Sequence, residues 1–115
     1  MKIQYKKSIR ENNRTEFLLI NFDYIDGGDY LSRLFCKEYG MYIEEKFDGI
    51  YFSTIRLKSK DANYELLWHE DVGNSIYSLC ENEESIELLE KRLGVVLEQL
   101  NLLLQRLKSK RVENK

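Results

Sequence analysis

The last third of the chain carries the pattern that most constrains its fold. From about Glu83 to about Lys108, the residues Ile86, Leu89, Leu93, Val96, Leu100, Leu103 and Leu107 recur at offsets of three and four. That heptad spacing predicts one long helix with a continuous apolar stripe. Leu97 and Leu104 widen the stripe on one side, and Leu88, Val95 and Leu102 draw a second line on the other. A stripe this wide exceeds the seam of a two-stranded coiled coil, so the helix needs a broader surface to lie on.

The preceding residues supply that surface as strands. Ile3, Tyr5 and Ile9 alternate with polar residues and predict a half-buried strand. Residues 16–22, EFLLINF, form a continuous apolar run suited to a strand buried on both faces. After Asp26-Gly27-Gly28-Asp29, with Asp29 as a helix cap, residues 30–39 place Tyr30, Leu31, Leu34, Phe35 and Tyr39 on one helical face, and Gly40 terminates it. Met41, Ile43 and Phe47 then alternate with Tyr42, Glu44 and Lys46, and Asp48-Gly49 predicts a two-residue hairpin turn. Further strands are expected at 50–58, at 62–69 with Tyr64, Leu66 and Trp68 on one face, and at 75–80. The order β-β-α-β-β-β-β-α predicts an α+β fold. It is an antiparallel sheet of about five to six strands, with a short helix and one long C-terminal helix packed on it. Residues 1–108 read as a single domain, and 109–115 as a basic tail that frays.

Composition excludes several classes. A chain of 115 residues that is 43% hydrophobic can bury a core, so intrinsic disorder is not expected. No apolar run approaches the ~18 residues of a membrane span, and no apolar segment follows the charged start; the reading is a cytoplasmic protein without a membrane role. Two cysteines and one histidine provide neither a disulfide framework nor a metal-ligand spacing. The net charge of −2 hides a strong asymmetry. Residues 61–90 hold nine acids and no Lys or Arg, whereas residues 91–115 hold seven bases and two acids. Asp23, Asp26, Asp29, Glu44, Glu45 and Asp48 are further acids that could join the first group in space. An acidic surface repels nucleic acid and attracts basic proteins. Glu83, Glu84 and Glu87 also suit the positive end of a helix dipole, which is a purely structural use for them.

No motif specifies an activity. Asp23, Asp26 and Asp29 lack the alternate spacing of a calcium loop, and Gly27-Gly28 matches no phosphate-binding loop. His69-Glu70 is not part of a zinc HExxH motif, and nothing in the sequence pairs His69 with Cys36 or Cys80 as a nucleophile and base. Both cysteines read as buried structural residues, and Trp68 as a core residue. Arg106, Lys108, Lys110, Arg111 and Lys115 lack interleaved aromatics, so they read as a solvated helix end rather than a nucleic-acid site. No catalytic residue, metal ligand or cofactor is therefore assigned.

The stretch Tyr64-Glu65-Leu66-Leu67-Trp68-His69-Glu70-Asp71-Val72-Gly73-Asn74 is followed by a strand and a helix that passes from acidic to leucine-rich. In size, acidity and α+β organisation this resembles the small bacterial immunity proteins that accompany secreted polymorphic or contact-dependent toxins. The resemblance implies a cytosolic protein that binds one cognate toxin domain and blocks its active site; many such toxins are basic nucleases. From the acidic window, the residues expected to bind that partner are Glu65, Glu70, Asp71, Glu81, Glu83 and Glu84, with Tyr77 as an exposed aromatic anchor. The alternative is an adaptor or oligomerisation protein, with a homodimer formed through the leucine-rich helix.

Overall fold

Six strands and two helices follow one another in a computed structural model that describes residues 2–113. They are β1 (Gln4–Ile9), β2 (Thr15–Ile20), α1 (Gly27–Tyr39), β3 (Tyr42–Asp48), β4 (Phe52–Lys58), β5 (Asn63–His69), β6 (Gly73–Ser78) and α2 (Glu83–Glu113). The strands form one antiparallel sheet in the order β1-β2-β6-β5-β4-β3. The chain makes the β1-β2 hairpin and crosses through α1 to the far edge. It then meanders back until β6 closes the sheet against β2.

One face of the sheet is covered and the other is open. Cross-strand pairing puts Phe17 beside Ile76, Ile76 beside Leu66 and Leu66 beside Ile55, and all four are buried. Leu31 and Phe35 of α1 and Leu89, Leu93, Val96, Leu97 and Leu100 of α2 close the core over this row. The stripe predicted for the long helix is thus the stripe that packs, through its first five turns. The apolar run in β2 is covered on one side only: Phe17 and Leu19 are buried, Leu18 is half-buried and Ile20 is exposed.

Polar side chains tie α2 diagonally across this face. Near its start, Arg92 donates to the Tyr64 hydroxyl at 3.3 Å and to Asp61 at 3.0 Å, and stacks on Tyr39 of α1. Half a turn earlier, Glu90 accepts from the Tyr5 hydroxyl at 2.8 Å. At Asn101 the side-chain amide bonds both the N–H and the carbonyl of Ile3, at 2.8 and 3.0 Å. The first turn is capped by Asn82, whose Oδ1 accepts from the Ser85 N–H at 2.8 Å.

Several local expectations are corrected. Helix α1 begins at Gly27, so Asp29 lies inside the first turn and pairs with Lys46 at 2.9 Å instead of capping. Between Ile43 and Glu45 the pairing with β4 slips by one residue, because a β-bulge inserts Glu44. The bulge reverses sidedness, so Phe47 leaves the face that Ile43 occupies and packs against Phe52 on the open side. The Asp48-Gly49 turn is longer than two residues, closing through a Gly49 N–H to Phe52 carbonyl bond of 2.9 Å. Helix α2 runs to Glu113 rather than ending near Lys108, so it takes in most of the segment read as a frayed tail; residues 114–115 lie outside the described residues. Cys80 is exposed, not buried, and Cys36 is half-buried.

Two outcomes follow from this packing. Leu93→Ala removes a fully buried side chain and is expected to cost about 2–5 kcal/mol in denaturant unfolding. The hydrogen bond to Glu90, and then burial, hold the Tyr5 phenol above its ordinary value of 10.0; burial does the same for Tyr39 and Tyr64, against the opposing effect of Arg92. Each phenol holds its proton more tightly when folded, so its contribution is complete below pH 10 and is lost as pH rises through the folded value. Unfolding midpoints should therefore hold to about pH 9 and fall as pH rises past about 10, and Tyr5→Phe should flatten part of that slope.

Candidate partner-binding surface

The seven residues expected at a partner interface do not converge. Strand β6 separates them into groups, since its six residues span roughly 20 Å. Glu70 and Asp71 lie in the turn before Gly73, at one end of the sheet. Glu81, Glu83 and Glu84 follow Ser78, at the other end. Glu65 sits in the middle of the open face, largely covered and paired with Arg56 at 3.3 Å. Tyr77 is not an exposed anchor. It is 6% exposed, because the Arg14 guanidinium stacks on its ring with 3.9 Å to the centroid.

Arg14 is held in that position by an acid the sequence reading passed over. Glu16 projects from β2 beside Tyr77 and is 1% exposed, bridging Arg10 and Arg14. A buried carboxylate requires this kind of pairing, and Arg14 meets it at 2.6 Å. Two arginines shortly before an acid at the start of an apolar strand were the available sequence signal. The centre of the open face is consequently a set of neutralised charges: Glu16 with Arg10 and Arg14, and Glu45 and Glu65 with Arg56.

The end of the sheet at Glu70 and Asp71 is built differently. Three connections meet there: residues 21–26, residues 49–51 and residues 70–72. The Asn74 side-chain amide, buried under them, donates to the carbonyls of Phe22 at 3.0 Å and Tyr24 at 2.8 Å. Trp68 donates its indole N–H to the Asp23 carbonyl at 3.1 Å. Trp68 is therefore half-buried at the sheet end and not a member of the core. The Glu70 N–H donates to the Tyr51 carbonyl at 2.9 Å, which joins the second connection to the third. Gly73 adopts φ +95°, and a Cβ there would stand 3.0 Å from Cβ of Asp23, so the tight approach of these loops requires glycine. A shallow groove lined by Ile25, Asp48 and Trp68 continues the same surface toward α1.

This end presents Asp23, Asp26, Asp48, Glu70 and Asp71, all exposed. Residues 21–26, 48–51 and 70–72 contain no Lys or Arg, and none of the five acids is ion-paired among the described residues. Interleaved with them are Tyr24, Ile25, Tyr51, Val72 and Ile50, the last 85% exposed. The opposite end differs in its balance of charge, apart from Glu83 and Glu84 in the first turn of α2. Its connections carry Arg10, Glu11, Arg14, Lys60, Asp61 and Glu81, which balance. There the Ser59 hydroxyl, and then Arg92, hold the Asp61 carboxyl below the usual carboxylate range.

His69 lies at the acidic end, where its Nδ1 accepts from the Asp71 N–H at 3.1 Å, whereas Cys80 lies past the far end of β6. Burial pushes the Cys36 thiol up, away from the reactive thiolate. No group of three or more His, Cys, Asp or Glu side chains is placed to hold a metal ion among the described residues. No helix among them is long and apolar enough to cross a membrane. No family model, curated protein or solved structure matches the chain.

Asn74 is the fastening of this surface. Asn74→Ala strands the buried Phe22 carbonyl, while the Tyr24 carbonyl keeps the Gly27 N–H, and is expected to lower stability by about 1–3 kcal/mol. The same change should shift Trp68 fluorescence toward the solvated indole.

Proposed function

We propose that this chain is an immunity-type protein: a non-enzymatic inhibitor that acts in the cytosol by covering the active site of a cognate, basic toxin domain. The observation that carries the reading is the surface made by the three connections, where five unpaired carboxylates surround exposed Tyr24, Ile25, Ile50 and Tyr51. Carboxylates left without a cation cost little in water and produce a negative potential at that end, which speeds encounter with a basic protein. Aromatic and aliphatic side chains among them supply the apolar burial on which affinity depends. A nuclease site is basic because it must hold phosphates, so a cluster of carboxylates complements the same groups.

Of the residues expected from the sequence, Glu70 and Asp71 belong to this surface. Asp23, Asp26 and Asp48 join them, while Glu65 and Tyr77 serve the sheet itself. Glu81, Glu83 and Glu84 lie outside it.

The test is co-expression with the product of the neighbouring gene, followed by titration of the purified pair. The wild-type chain is expected to protect cells and bind one to one. Glu70→Lys with Asp71→Lys should weaken binding by about 2–5 kcal/mol without moving the unfolding midpoint. Glu83→Lys with Glu84→Lys should leave affinity nearly unchanged. Equal losses from the two double variants would sink the assignment.

A further inference from the structure

Ion pairs close the centre of the open face, but they do not reach the corner where β3 turns into β4. Phe47 and Phe52 lie there with ring centroids 5.3 Å apart, and they are 49% and 42% exposed. Between them the turn adds Ile50 and Tyr51, 85% and 63% exposed. Four large hydrophobic side chains within six residues thus stand in water, and none belongs to the core. Hydrogen bonds brace the turn that carries them. The Gly49 N–H donates to the Phe52 carbonyl, and the Tyr51 carbonyl accepts from the Glu70 N–H. A Cβ on Gly49 would stand 2.6 Å from the Phe52 carbonyl oxygen and 2.9 Å from the Phe47 ring. The ring can lie against the turn because that residue is glycine.

We propose that this hairpin is the apolar anchor of the partner interface: the contact wraps from the acidic end of the sheet onto the open face, where Phe47 and Phe52 receive an apolar loop of the partner flanked by Lys or Arg. The identity of that partner rests on the toxin-neutralising reading. Continuity with the acidic surface places the anchor. Phe52 pairs across the strands with His69, the residue before Glu70, and Asp48 follows Phe47 directly. Charge selects the occupant. Asp48, Glu70 and Asp71 have no ion-pair partner among the described residues, so the corner favours a loop with basic flanks. A second copy meeting this corner about a twofold axis would set the same acids against one another. From Phe47 and Phe52 an open groove of about 330 Å³ runs along Thr54 to Arg56, whose guanidinium is shared by Glu45 and Glu65. That volume is at the foot of the range for small-molecule pockets, and it suits side chains on a protein surface. Carboxylates at the rim speed encounter, whereas aromatic rings that lose their water on contact slow departure.

Binding kinetics with the purified product of the neighbouring gene test this. Phe47→Ser with Phe52→Ser is expected to raise the dissociation rate at least about tenfold and to change the association rate less than about twofold. Ile50→Ser alters only a turn residue in open water, so it should raise the dissociation rate at an unchanged unfolding midpoint. Asp23→Lys with Asp48→Lys should act on the association rate instead and flatten its dependence on salt. A complex that leaves at the wild-type rate in both the phenylalanine and the Ile50 variants overturns the anchor and leaves the toxin-neutralising reading standing. A product that does not bind the wild-type chain overturns both. Sedimentation of the chain alone should show a monomer; a dimer abolished by the Phe47 and Phe52 substitutions would give this corner to a second copy and overturn the assignment.

Discussion

Everything in this molecule is arranged around the contact between the stripe of α2 and one face of the sheet. Leu89, Leu93, Val96, Leu97 and Leu100 are buried against a row that runs from Phe17 through Ile76 and Leu66 to Ile55. Without the helix that row would face water, and six strands of about six residues could not hold a flat apolar face in solution. Helix α1 covers the half nearer β3 and β4, and α2 covers the half nearer β1, β2 and β6. The opposite face has no helix and must be made compatible with water by other means.

Those means are ion pairs laid on the sheet. Arg14 covers Tyr77 and, with Arg10, neutralises Glu16, while Arg56 links Glu45 and Glu65. Charges used in this way are committed to the fold and have little attraction left for a partner. The carboxylates of residues 21–26, 48–51 and 70–72 are uncommitted, because the backbone and Asn74 hold those loops and no cation is required. The division between structural and available charge is what separates Glu65 from Glu70, although only five positions separate them along the chain.

Much of the architecture was legible in the sequence. Alternation marked Tyr64, Leu66 and Trp68 for one face, and the 3-4 spacing marked the helix and its buried side. What alternation could not reveal was the bulge at Glu44, since a single extra residue leaves composition unchanged and moves Phe47 to the other face. Tyr77 was misread for a related reason. Its exposure was set by Arg14, which is adjacent only once β2 and β6 pair. The acidic surface was half legible: Glu70 and Asp71 stood out within a run of acids, while Asp23, Asp26 and Asp48 were three among six further acids that could join them, with nothing local to separate them from Asp29, Glu44 and Glu45.

The sequence by itself determined the order of the elements, the antiparallel α+β class and the stripe by which the long helix attaches. These depend on periodicity, which is a local property of residues a few positions apart. Tertiary structure alone decided which acids stand together, which are neutralised and where the sheet stops beneath α2. Those depend on strand order and helix length relative to the sheet. The return of β6 to the middle of the sheet brings residues 70–72 against residues 21–26, and no local pattern encodes a contact across so much chain. The same holds for the leucines past Asn101. They repeat like those before it, and only the edge of the sheet distinguishes a buried leucine from an exposed one.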